Sequence, residues 1–242
     1  MTMNQIFRKI RKNLLTGGKL GRYLMYALGE IILVVFSILL ALQINNWNEN
    51  RANDKQLLQI LSTIRTDLVS DTLEVRGILD NYEQRRPVFE RVLNDSATYN
   101  DYLTQPFYGF LVSTYIPLKI EERGYTQLKS FNNFTGAEPE TIASQITQFY
   151  SVFIKNIEET EKAINEDVYS NLNHWKENMT WFAEVSKGEA PNEFMNYVLD
   201  DPDYKNRVAF HQGIVYNNYL PILEAFQTNA RVLLRQLNKK LD

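Results

Sequence analysis

The chain of 242 residues has no cysteine and only two histidines, His174 and His211. Without thiols there is no disulfide framework, no thiolate zinc or iron–sulfur site and no cysteine nucleophile. His174 has no acid three or four residues before it. His211 is flanked at four residues by Arg207 and Val215, so neither histidine forms a helical ligand pair. No glycine-rich phosphate loop, nucleophile elbow or H-E-x-x-H motif occurs, and GGKLG at 17–21 lacks the strand and spacing of a phosphate loop. Strictly alternating apolar and polar runs, the mark of a half-buried strand, are absent as well. No catalytic, cofactor-binding or metal-ligating residue is therefore assigned, and none of the features points to an enzyme.

Charge of one sign is missing from the start of the chain. Residues 1–29 hold Arg8, Lys9, Arg11, Lys12, Lys19 and Arg22 and no acid. The net charge of −3 thus hides a basic beginning and an acidic body, 31–242, at −8. An acidic body has no means of neutralising phosphates, which excludes nucleic acid as its partner.

What is present is a long apolar run. Across Tyr23–Trp47 the only charge is Glu30. Its uncharged part, Ile31–Trp47, is about 25 Å long as a helix, and residues 23–29 extend it to cross a core of about 30 Å. Tyr23, Tyr26 and Trp47 lie near the two ends, as interfacial rings do. We therefore expect an uncleaved transmembrane helix over 20–47. The six basic residues before it place the N-terminus in the cytoplasm and the rest outside the inner membrane, in the periplasm. Met3, Ile6, Phe7, Ile10 and Leu14 recur at helical spacing among the basic residues. Residues 1–18 are thus expected to form a cytoplasmic basic amphipathic segment, which either lies on the anionic lipid of that membrane or serves only as topogenic charge. Within the apolar run, Ala27, Glu30, Val34, Ser37 and Ala41 share one face. That stripe suits contact between helices in lipid, with Glu30 otherwise hydrated near the inner headgroups.

Residues 48–242 read as an extracytoplasmic helical bundle. Leu57, Leu61, Ile64, Leu68, Val75, Ile78, Tyr82, Phe89 and Val92 keep a 3–4 rhythm, interrupted at expected seam positions by Asp71 and Arg85. Pro87 predicts a kink or a second piece, and Asn94-Asp95-Ser96 a turn. Residues 97–137 are rich in Pro, Gly and aromatics and predict short helices, including 121–129, and irregular loops. A second long helix is expected from about Pro139 to Ser186, and a short one over 191–199. A last helix follows, capped by Asp200 or Asp201 with Pro202 in its first turn and bent at Pro221. The fold class expected is all-α: the N-terminal transmembrane helix continues into an elongated antiparallel bundle. Up-down-up routing would put 97–137 at the distal end and 187–202 near the bilayer. The aromatic segment either caps the core or, through Tyr102, Phe107, Tyr108, Tyr115 and Tyr125, offers a recognition surface.

FRKIRKNLL (7–15), YALGEIILVV (26–35) and ALQINNWNENR (41–51), with echoes at 123–130, 144–150 and 201–210, carry a resemblance. The sequence resembles a family of uncharacterised single-pass membrane proteins found mainly in Bacteroidetes and known only as a domain of unknown function. Phe36-Ser37 stands where that family usually has Ile-Gly. The resemblance implies the topology and no activity, cofactor or site residue. The expected role is a membrane-anchored interaction or scaffold module, self-associating or an accessory subunit of an envelope complex. The alternative is a sensory or ligand-binding domain that signals through a partner.

Overall fold

The computed structural model describes residues 19–131 and 141–241. The basic amphipathic segment expected over 1–18 lies outside the described residues, as does Pro139. The chain divides into two compact units, Met1–Gln56 and Leu57–Asp242. Among the described residues the protein is all-α, with no strand.

One helix, α1, runs from Lys19 to Leu93 and passes through Pro87 without a break. No second piece starts there. Proline removes only the bond to the carbonyl four residues back, and the buried Phe89 and Val92 beyond it hold the last turns on the core. The helix stops in a Schellman turn. Asp95 adopts a left-handed φ of 55°, Ser96 N–H donates to the Arg91 carbonyl at 2.9 Å and Asp95 N–H to Val92 at 3.4 Å. In the first unit the apolar side chains of α1 face outward all round: Leu33 is 68% and Phe36 63% exposed. A helix apolar on every face and, among the described residues, buried by nothing is long and apolar enough to cross a membrane.

In the second unit α1 is followed by α2 (Tyr99–Thr104), a 3₁₀ turn at Pro106–Gly109, α3 (Arg123–Lys129) and α4 (Ile142–Asn178). Then come α5 (Phe182–Val185), α6 (Asn192–Asp200), α7 (Pro202–Ile214), a π turn at Val215–Tyr219 and α8 (Leu220–Leu241). Local chemistry sets many of these boundaries. Thr98 and Asp101 form a capping box on α2. Thr141 caps α4 by accepting from Ser144 N–H, and Asp201 caps α7 with Pro202 at its first position. The bend expected at Pro221 takes the form of the π turn just before it. Pro221 offers no N–H to the Asn217 carbonyl, and a widened turn accommodates the loss. The second long helix ends at Asn178 instead of near Ser186, because Met179 turns extended (φ −108°, ψ 121°).

The routing differs from the up-down-up expectation. From Arg207 to Phe226, the last helical run meets α4 successively at Asn171, Asp167, Glu161 and Phe153. It meets α1 at Tyr82 and then Thr72. It is therefore antiparallel to both, and α1 and α4 run parallel to each other. Parallel neighbours need a crossover, and residues 110–122 supply it as an irregular strap. From Tyr82 to Asp67 it descends about 22 Å of helix while advancing from Ile116 to Gly124, about 2.8 Å per residue. That is close to the about 3.3 Å of a strand. Consequently 97–112 and 179–202 lie together, at the Leu93 end of α1. There they build one aromatic-rich cluster around Phe89, Tyr102, Tyr108, Trp175, Trp181 and Tyr204. The larger core lies along α1, α4 and α8.

Candidate functional site

A strap lying against helices has backbone groups that neither a helix nor a sheet satisfies, so those turned away from water need side-chain partners. The surrounding helices provide them. Asn171 Nδ2 donates to the Val112 carbonyl at 3.1 Å. Ile116 N–H donates to the Tyr82 hydroxyl at 3.0 Å, and its carbonyl accepts from the Tyr219 hydroxyl at 3.0 Å. Leu118 N–H donates to Glu161 Oε1 at 2.6 Å, and that oxygen lies 2.8 Å from the Tyr219 hydroxyl, whose single proton it shares with the Ile116 carbonyl. Glu121 N–H donates to Asp71 Oδ1 at 3.0 Å and Gly124 N–H to Asp67 Oδ2 at 2.8 Å. Arg123 closes the row with a 2.7 Å bond to Asp67 Oδ1. These side chains come from α1, α4 and the π turn, and they fasten one strap from top to bottom.

Burial sets their electrostatics. Asp67 and Asp71, one helical turn apart, are both fully buried. Desolvation raises the Asp71 carboxyl to about 7, helped by the charges of Asp67, Glu121 and Glu74 and opposed by the Glu121 N–H. Burial likewise pushes Glu161 above the ordinary carboxylate range, against the bonds from Leu118 and Tyr219. Tyr219 is raised by burial and by the Glu161 charge beside it. The helix α3 starts at Arg123 instead of 121, and Asp71 holds the Glu121 N–H in the strap just before it.

A second network joins α4, α6 and α7. Trp175 Nε1 donates to Tyr197 at 2.9 Å, and Tyr197 and Arg207 both donate to Asp203 Oδ2, at 2.8 and 2.7 Å. Arg207 also reaches Asn171 at 2.8 Å, which links this network to the strap. Burial opposes ionisation of Asp203, but the bonds from Arg207 and Tyr197 outweigh it and hold the carboxyl below its usual range. Nearby, the buried His211 Nδ1 lies 2.8 Å from Asp167 Oδ2, with the ring stacked on Phe89.

The residues singled out from the sequence fall differently. Ala27, Glu30, Ser37 and Ala41 are all exposed along α1, and Ser37 Oγ donates to its own helix at Leu33, 2.7 Å away. Tyr102, Tyr108 and Tyr125 are core residues, not a recognition surface. The Tyr102 hydroxyl donates to the Val198 carbonyl. The Tyr108 carbonyl accepts from Tyr204, and Tyr125 stacks on Tyr150 at 4.7 Å. Phe107 and Tyr115 are half-buried, Phe107 beneath the Arg85 guanidinium. The rings are buried because two helix ends and the strap leave an uneven gap that large planar side chains fill. Sequence reasoning missed Asp67, Glu161, Asn171 and Tyr219. The available signal was Asp71, an acid standing where the seam called for an apolar residue.

Among the described residues no group of three His, Asp or Glu is placed to hold a metal ion. A groove of about 440 Å³ lies between α4 and α8 at Phe149 and Val232. A polar hollow of about 490 Å³ lies by Asp95, Asp200 and Lys205. Neither is lined by the strap. The strap's fastening gives a local prediction. Tyr219→Phe should cost about 1–2 kcal/mol, because the Ile116 carbonyl loses its donor. A lower urea midpoint at unchanged m-value would show it. An unaltered midpoint would mean the π turn does not hold the strap.

Among the described residues, the fold and this seam define an all-α protein with one helix apolar enough to cross a membrane and a body locked by polar side chains onto its own backbone. The chain belongs to the Family of unknown function (DUF6090), whose profile matches residues 30–180. The match takes in α1 from Glu30, the strap and α4. No curated protein and no solved structure matches the chain.

Proposed function

We propose that this protein is a non-catalytic, membrane-anchored helical module that holds protein partners outside a bacterial inner membrane. The N-terminus lies in the cytoplasm and the body in the periplasm, in keeping with the Bacteroidetes family that the sequence resembles. The observation that carries this reading is how the polar groups are used. Tyr82, Glu161, Asn171 and Tyr219 all bond the strap's backbone, as does one oxygen of Asp71, and Asp67 bonds the first turn of α3. Carboxylates and hydroxyls spent on fastening the fold are not available to convert a substrate. The apolar run Tyr23–Trp47 supports the anchor, and the six basic residues before it support the orientation.

The test is crosslinking in intact membranes with the native anchor present, followed by mass spectrometry. Discrete crosslinked species, either homo-oligomers or complexes with a recurring envelope protein, are expected. A chain that stays strictly monomeric and uncrosslinked counts against the proposal.

A further inference from the structure

The seam leaves two atoms unused. Asp71 Oδ2 and the Tyr150 hydroxyl are both buried and have no hydrogen-bond partner among the described residues. They approach from different helices, α1 and α4. Tyr150 stacks at 4.7 Å on Tyr125, the neighbour of Gly124 whose N–H Asp67 holds, and after burial itself the charges of Asp71 and then Asp67 act most strongly on its hydroxyl. The setting is crowded with charge of one sign. Asp67 and Glu74 act on Asp71 from α1, Glu121 and Glu122 come from the strap, and the Arg123 guanidinium is engaged by Asp67 and Glu121. An ionised Asp71 would carry an unpaired oxygen in a dry pocket beside other acids, which is the least favourable state for a carboxylate.

We propose that the pocket between Asp67, Asp71, Glu121, Gly124 and Tyr150 is a buried proton-binding site, in which one proton on Asp71 Oδ2 keeps the strap and α3 latched to α1. With the proton in place the carboxyl is neutral, Oδ1 still accepts from Glu121 N–H, and Oδ2 carries a hydroxyl instead of an unpaired charge. Loss of the proton puts a second negative charge beside Asp67, and the pocket relieves it by opening to water along residues 118–129.

The sign follows from linkage. The carboxyl binds its proton more tightly when the strap is closed than when it is open. The latch is therefore strongest below the ordinary carboxylate range and weakens as pH rises towards about 7, where Asp71 titrates in the closed state. Above that it weakens no further. The population of the open strap should rise about tenfold per pH unit between about pH 5 and about pH 6.5, then level off.

Hydrogen exchange of the full-length protein in lipid nanodiscs, corrected for intrinsic rates, reads this directly. In the wild type, protection over 118–129 should fall about tenfold per pH unit and flatten above about pH 7. In Asp71→Asn, whose side-chain oxygen still accepts from Glu121, protection should persist with less than about a threefold change over the same range. Wild-type protection independent of pH, or an unchanged slope in Asp71→Asn, overturns the proposal. Should Asp71→Asn not fold, infrared spectroscopy of the wild type decides. A buried carboxylic-acid carbonyl band should be present at about pH 6 and lost at about pH 8.5. Its absence at the lower pH overturns the site.

Discussion

Trp175→Ala should destabilise the body by about 3–5 kcal/mol, the range for removing a fully buried large aromatic. Trp175 is 1% exposed and sits among Phe110, Trp181 and Tyr197, with ring centroids 6.5, 5.8 and 6.2 Å away. Its indole N–H also donates to Tyr197, so truncation removes packing and one end of the Tyr197–Asp203–Arg207 network together. Chemical denaturation followed by circular dichroism checks it. Trp175→Phe keeps most of the packing and should cost less than half as much. A loss below about 1 kcal/mol for the alanine variant would show that the Leu93 end of the body is not a packed cluster.

Gly124→Ala should cost about 3–5 kcal/mol, combining overpacking with loss of a hydrogen bond to a charged group. A methyl at Gly124 would lie 2.5 Å from Ile64 Cγ1, 2.6 Å from its backbone nitrogen and 2.9 Å from its Cα. The backbone of α1 cannot yield, so α3 must move away and take Gly124 N–H from Asp67. Gly77 is the control. A Cβ there meets nothing within 4 Å, and Gly77→Ala on the exposed face of α1 should stabilise the protein by about 1 kcal/mol. Opposite signs for two Gly→Ala changes in one chain separate close backbone approach from helix propensity. Equal signs would remove the tight contact between α3 and α1.

Much of this fold was legible one element at a time. The seam residues Leu61, Ile64, Leu68, Val75, Ile78, Tyr82, Phe89 and Val92 are all buried, because a 3–4 rhythm puts them on one stripe of a helix. The turn at 94–96 and the start of α7 at Asp201-Pro202 were readable for the same local reason. The strap was not. Its partners lie 34 to 103 residues away in sequence, and no periodicity connects Ile116 to Tyr82 or to Tyr219. The aromatic residues of 97–137 likewise gave no sign of whether they faced a partner or each other. Packing chose the second for Tyr102, Tyr108 and Tyr125.

By itself the sequence determined the helical class, the apolar stretch fit to cross a membrane and the stripe each long helix buries. These are properties of neighbouring residues, repeated every turn. The tertiary structure alone decided that α1 and α4 run parallel, that residues 97–112 and 179–202 gather at one end, and that Asp67, Asp71 and Glu161 bind backbone. The reason is that an unpaired backbone group buried in the strap must find a donor or acceptor wherever the fold brings one. Which distant carboxylate or hydroxyl arrives there is settled only when the helices dock.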